Sequence, residues 1–223
     1  MFRLKQKEVL RSMNKETAWG SSPAYRIAKR TLDVALSGAA IVGLSPVMAG
    51  CAVAVKVTSP GPIIFKQRRT GINLTEFDMW KFRTMRIDTP ELPSHMINAN
   101  DWLTPVGGFL RKTSLDELPQ LVNILKGDMS IVGPRPPLPS QTDLIEERAK
   151  NGANDVPPGL TGWAQVNGRD ELPIAVKASF DGVYAKTASL AMDAKIVLMT
   201  VSKVFQHEGV VEAEVPEPEG ETA

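Results

Sequence analysis

Two kinds of pattern alternate along this chain. Residues 34–55 (VALSGAAIVGLSPVMAGCAVAV) form 22 consecutive positions without a charge, bounded by Asp33 and Lys56. As one helix they would span ~33 Å, about the thickness of a bilayer's hydrocarbon. After them the pattern turns polar and short-ranged. Ser59-Pro60-Gly61-Pro62 predicts a turn, residues 63–65 a short apolar strand, and residues 77–82, rich in aromatics, a returning strand. A β-hairpin is therefore expected over residues 63–85. Residues 190–205 return to helical spacing, with Ile196, Met199, Thr200, Lys203 and Val204 at helix intervals, which suits a core-facing helix or one lying on lipid.

The uncharged run carries its own interruption. Pro46, after Ser45 at its midpoint, removes a backbone donor and crowds the carbonyl four residues earlier, so a kink or break is expected there. Each half would be only ~16 Å long, too short to cross a bilayer. Arg26, Lys29 and Arg30 precede the run, and Lys56, Lys66, Arg68 and Arg69 follow it. Positive charge on both flanks fits a re-entrant helix-break-helix hairpin that enters and leaves on one face. A kinked spanning helix and a buried core helix are the competing readings.

The 223-residue chain suits one globular core, or one core with an appendage. Its net charge of +1 hides two opposed ends. Residues 1–30 hold eight basic and two acidic side chains, whereas residues 208–223 hold six glutamates and no lysine or arginine, in a sequence typical of a disordered tail. One cysteine, Cys51, excludes an internal disulfide. With only His95 and His207 beside it, a Cys/His zinc, haem or iron–sulfur site is excluded and a histidine base has few candidates. Nothing in the charge distribution suggests a nucleic-acid partner. The expected organisation is α+β: a basic extension (1–25), a membrane hairpin (26–57), a small helix-rich catalytic domain with a short β-hairpin and amphipathic helices (58–207), and an acidic tail (208–223).

The densest chemistry lies at residues 111–137. Ser114 and Glu117 have the spacing of a capping box, but Pro119 would then fall where an amide should donate. With Asp116 as the cap, Pro119 falls in the first turn, Leu118, Leu121, Val122 and Leu125 form the buried stripe, and Gly127 ends the helix. That places Asp116 at a positive helix end suited to an anion or metal-bound phosphate, with Arg111 and Lys112 upstream. The plainer reading is that Asp116 only caps and Glu117 is a surface acid. Arg135, between Pro134 and Pro136, has a restricted backbone and a planar guanidinium suited to phosphate. Lys81 and Arg83 read on local evidence as a solvated hairpin face, and Trp163 as core or membrane interface. No Walker A, Rossmann glycine fingerprint or nucleophile-elbow serine is present.

Residues 115–136 (LDELPQLVNILKGDMSIVGPRP) closely resemble the bacterial sugar transferase family, the monotopic phosphoglycosyl transferases. The apolar run with Ser45-Pro46, the SPGP turn at 59–62, KFRTM at 81–85, PGLTGWAQVNGR at 158–169 and the region of Asp181 and Asp193 follow in the family's order, so the similarity spans about residues 26–205. The resemblance implies transfer of a sugar 1-phosphate from a UDP-sugar to polyprenyl (undecaprenyl) phosphate with release of UMP, initiating exopolysaccharide or glycoconjugate synthesis. It implies Asp116 as nucleophile, through a phosphosugar-aspartyl intermediate, and Glu117 as its partner in holding Mg²⁺ or activating the lipid phosphate. It further implies Arg135 as the main phosphate contact, Arg111, Lys81, Arg83 and Arg169 as lesser ones, and Ser45-Pro46 as the re-entrant break. The implied setting is a catalytic-core form on the cytoplasmic face of a bacterial inner membrane, in contact with lipid, upstream of further glycosyltransferases. Pro157 stands where many members carry a basic residue. A non-catalytic scaffold of the same fold is the alternative; it gives no physical reason for Asp116, Glu117 and Arg135 to occur together.

Overall fold

The computed structural model describes residues 23–89, 99–168 and 172–206. Most of the expected basic extension and all of the acidic tail lie outside the described residues.

Helix α1 runs over Pro23–Thr58, 36 residues with Pro46 inside it, and it is long and apolar enough to cross a membrane. The expected halving at Ser45-Pro46 is not seen: helical structure continues through the proline. A local substitution helps explain why. The amide missing from Pro46 would have donated to the carbonyl of Val42, and Ser45 Oγ donates to that same oxygen at 2.7 Å.

The buried side of α1 is polar in its N-terminal part and apolar further on, while its open side is apolar. Its buried residues are Tyr25, Lys29, Asp33, Ser37, Cys51 and Val55, while Ile27, Leu36, Val42, Val53 and Val57 are exposed. In water that arrangement would be unfavourable; against lipid it is the expected one. Lys29 and Arg30, read from the sequence as flanking surface charges, instead serve internal partners. Lys29 Nζ meets Asp193 Oδ2 at 2.9 Å, and Arg30 donates to the carbonyls of Ile124 and Leu125.

Past the turn at 59–62, β1 (Ile64–Thr70) and β2 (Glu76–Phe82) form the expected antiparallel hairpin, in register from Ile64↔Phe82 to Thr70↔Glu76. Phe77 and Met79 point inward by strand alternation and pack on Leu121, Ile124 and Met129, with Ala40 and Ile41 of α1 beside them. A second apolar cluster joins Cys51 and Val55 of α1 to Phe82 and Leu110. Helix α2 (Gly107–Lys112), a single 3-10 turn (Leu115–Glu117) and helix α3 (Gln120–Lys126) follow.

Strands β3 (Ser130–Val132) and β4 (Gly159–Thr161) pair in parallel, connected through helix α4 (Thr142–Ala149). Gly133 permits a close backbone approach here, because a Cβ on it would lie 2.2 Å from the carbonyl oxygen of Pro157. Short helix α5 (Trp163–Val166) leads to α6 (Ile174–Thr187) and α7 (Leu190–Gln206). Tyr184 and Ile196 anchor the last two helices in a cluster with Val132, Val156 and Val166. Trp163 packs at the edge of that cluster, in edge-to-face contact with Phe180 and beneath Lys195. α7 is the helix expected over residues 190–205: Ile196 faces the core while Leu198 and Val201 are exposed.

Candidate active site

The backbone around Asp116 differs from the expected cap. Ser114 adopts a left-handed conformation (φ 56°), its side chain makes no capping bond, and Asp116 lies within the 3-10 turn rather than at a helix N-cap. Helix α3 begins only at Gln120, so Pro119 precedes it without breaking a bond. That later start shifts the buried face to Gln120, Leu121, Asn123 and Ile124, leaving Leu125 exposed; Gly127 ends the helix in the left-handed region as expected.

Adjacent residues on a 3-10 turn point about 120° apart, so Asp116 and Glu117 need a third group to unite them. Lys81 is that group. Its Nζ lies 2.8 Å from Glu117 Oε1 and 3.8 Å from Asp116 Oδ2. Arg135 Nη1 approaches the same Glu117 oxygen at 3.5 Å. Arg111 donates from Nε to Thr84 Oγ1 at 3.0 Å, and its charge acts on Asp116. Four of the sequence-designated cations and carboxylates, Lys81, Asp116, Glu117 and Arg135, thus meet, with Arg111 nearby.

Asp116 is only 6% exposed, and among the described residues no donor hydrogen-bonds to its carboxylate. Burial pushes its carboxyl above the ordinary range; Lys81 opposes this, Glu117 adds to it, and Arg111 and Arg135 pull it down. Burial thus disfavours the ionised form, and the cations Lys81, Arg111 and Arg135 act to restore the carboxylate that attack on, or coordination of, an electron-poor centre requires.

One of the expected phosphate contacts does not join the cluster. Arg83 is buried with its guanidinium turned to the carbonyls of Ser59 (2.8 Å) and Pro60. It fixes the turn after α1 instead of facing a ligand, because three consecutive turn residues leave carbonyls that need a donor. Arg169 lies outside the described residues. Among those residues no group of three or more His, Cys, Asp or Glu is placed to hold a metal.

Sequence reading missed Asn123. It is fully buried, its Oδ1 accepts from Trp80 N at 3.0 Å, and its Nδ2 donates to Asp78 O at 2.7 Å and Asp128 Oδ2 at 3.1 Å. The amide acts as a substitute strand along the free edge of β2 and sets the strand carrying Lys81 against the turn carrying the dyad. A polar residue between Val122 and Ile124 on a buried helix was the available signal.

A hairpin, a 3-10 turn carrying Asp116 and Glu117, and a Pro-Arg-Pro loop converge beside an apolar N-terminal helix long enough to cross a membrane. A profile of the family described as bacterial sugar transferase matches residues 24–207, against the 26–205 suggested by motifs, and the chain belongs to that family. Over 192 residues it is 42% identical to the UDP-glucose:undecaprenyl-phosphate glucose-1-phosphate transferase of Escherichia coli (strain K12), covering 82% of this chain and 41% of that protein. It is 38% identical to the uncharacterized sugar transferase EpsL of Bacillus subtilis (strain 168), covering 82% of this chain and 90% of the relative. It is 36% identical to the exopolysaccharide production protein ExoY of Sinorhizobium fredii (strain NBRC 101917 / NGR234), covering 84% and 89%. The chain therefore spans less than half of the Escherichia coli relative and about nine-tenths of the other two.

Proposed function

We propose that this chain transfers a sugar 1-phosphate from a UDP-sugar to undecaprenyl phosphate, or another polyprenyl phosphate, as the first membrane step of exopolysaccharide or glycoconjugate assembly. The observation that carries this reading is the buried Asp116 carboxylate, with no hydrogen-bond donor among the described residues, beside Lys81 and the Glu117–Arg135 contact. The names of the Escherichia coli and Sinorhizobium relatives support the acceptor and the pathway class.

In the first half-reaction an Asp116 oxygen attacks the phosphorus that bears the sugar. The bond from that phosphorus to the UMP oxygen breaks, UMP leaves with the electron pair, and the sugar phosphate remains on Asp116. In the second, an oxygen of the lipid phosphate attacks the same phosphorus and Asp116 departs as a carboxylate. Lys81, Arg135 and Arg111 offset the phosphate charge, which is most of what phosphoryl transfer requires of a protein. Asp116 and Glu117 would hold Mg²⁺, an ion commonly bound through one or two carboxylates and completed by water and phosphate oxygens; when bound it supplies further charge neutralisation. Glu117, placed against two cations, is suited to orient the incoming lipid phosphate.

The apolar outer face of α1, with Leu198 and Val201 of α7, supports insertion into one leaflet with the catalytic residues at the cytoplasmic face of the inner membrane. Bending at Pro46 would make α1 re-entrant. UMP release from a panel of UDP-sugars, beginning with UDP-glucose, with detergent-solubilised polyprenyl phosphate and Mg²⁺, tests the reaction. Equal activity of wild type and Asp116→Asn would remove the nucleophile assignment. Labelling single-cysteine variants at Ser22 and Thr58 tests topology: access from opposite sides would disprove re-entry.

A further inference from the structure

The loop that presents Arg135 is held at every carbonyl. Gly159 N donates to Pro134 O at 2.9 Å, Arg148 Nη1 to Arg135 O at 3.0 Å, Arg69 Nη1 to Pro136 O at 3.0 Å, and Thr70 N to Pro137 O at 2.9 Å. Three of these four residues are prolines and lack an N–H, so carbonyls are nearly all this backbone can offer a partner. Four consecutive bonds from β4, α4 and the end of β1 leave the Arg135 main chain little freedom.

One of these donors is costly to place. The Arg148 and Asp181 side chains are 3% and 1% exposed. Arg148 Nε and Nη2 both reach Asp181 Oδ2, at 2.9 and 2.6 Å, which directs the remaining arm of the guanidinium to Arg135 O. A buried ion pair is at best weakly stabilising compared with apolar packing, so stability alone is a poor reason to keep one here. A planar fork can satisfy a carboxylate and still serve a carbonyl on its other side; a lysine ammonium, being a compact point donor, cannot reproduce that geometry.

We infer that Arg148, oriented by Asp181, is a positioning residue that sets the reach of Arg135 toward the phosphates of a nucleoside diphosphate. The inference rests on the proposed reading of Arg135 as a phosphate contact. The competing role is a plain structural staple between α4 and α6, and the two make different predictions in a double-mutant cycle.

The test is UDP affinity by calorimetry, with Mg²⁺, on the full chain in detergent, for wild type, Arg148→Lys, Arg135→Ala and the double variant. Arg135→Ala should weaken UDP binding by about tenfold or more, as expected for loss of a charge-assisted phosphate contact. Arg148→Lys should weaken it about fivefold in the wild-type background and less than about twofold once Arg135 is gone, because its effect passes through that side chain. Asp181→Asn, which keeps an acceptor oxygen, repeats the cycle if Arg148→Lys does not fold. Unchanged UDP affinity in Arg148→Lys, or an equal loss in both backgrounds, would overturn the positioning role while leaving Arg135 as a contact. Unchanged affinity in Arg135→Ala would instead remove the reading of the site on which the inference stands.

Discussion

Two clusters in this molecule use the same kinds of residue to opposite ends. Beneath α1, Asp193 is saturated: Tyr25 and Lys29 donate to Oδ2 at 3.0 and 2.9 Å, and Tyr184 donates to Oδ1 at 2.7 Å. Tyr184 also reaches Val132 O at 3.1 Å, and burial pushes its hydroxyl far above its usual titration range, so it remains a donor. In the dyad cluster Asp116, 6% exposed, has no hydrogen-bond donor on its carboxylate among the described residues; Lys81 faces it at 3.8 Å, with the charges of Arg111 and Arg135 nearby. A carboxylate whose lone pairs are all engaged can hold two elements together but has nothing left for a phosphorus centre. On the proposed reading, saturation rather than burial or charge is what separates the architectural aspartate from the reactive one.

The division breaks if the two aspartates respond alike. Asp116→Asn should reduce UMP formation by about a thousandfold or more, as loss of a nucleophile does, with the fold retained. Asp193→Asn should leave turnover per folded molecule within about tenfold and lower stability instead. Full activity of the first or inactivity of a well-folded second would reverse the assignment.

Removing one partner from the saturated cluster should be the largest stability effect. Lys29→Met leaves Asp193 buried without its cation, and about 3–5 kcal/mol should be lost in denaturant unfolding in detergent. A loss below about 1 kcal/mol would mean that α1 is held by lipid rather than by this contact.

Asp116→Asn sharpens the comparison from the other side. Because the folded state holds this carboxyl above its ordinary value, the fold favours the protonated form. The group's contribution is therefore full at low pH and is lost as pH rises through the raised value. A permanently neutral asparagine escapes that loss, so in EDTA-treated protein the variant should melt higher than wild type at pH 8. The gap should close as pH falls below about 4, the ordinary carboxylate value. A lower melting temperature at pH 8 would contradict the reading of Asp116 as unsatisfied.

The smallest effect is expected at Ser45→Ala, which leaves the Val42 carbonyl without the hydroxyl that replaces the missing proline amide. The cost should be about 1 kcal/mol, visible as a small shift in unfolding midpoint.

Legibility in the sequence followed the range of the interaction. The β-hairpin, Gly127 as a helix stop and the final helix were readable because alternation, turn residues and helical spacing are local signals. Asp116 and Glu117 were readable as a pair, but their union through Lys81 depends on a contact 36 residues away. Arg83 was misread because nothing near it in sequence shows that the Ser59 and Pro60 carbonyls would claim its guanidinium. Asp181 entered only as part of the family-ordered region and Arg148 not at all, for the same reason: they lie 33 positions apart and reach Arg135 through a backbone oxygen. Pro46 marked a real loss of a donor, while the compensation by Ser45 required knowing the rotamer.

The buried polar side of α1 also bears on the order of events during synthesis. Lys29 is separated from Asp193 by 164 residues, and Asp33 awaits the amide of Ile131, 98 residues later. α1 emerges first, yet its docking partners are made nearly last, so its polar stripe must remain hydrated or provisionally paired until the C-terminal helix is available. Chain termination anywhere before α7 would strand a lysine with no counter-ion, and ribosome-bound truncations should therefore associate with membranes while failing to fold against α1.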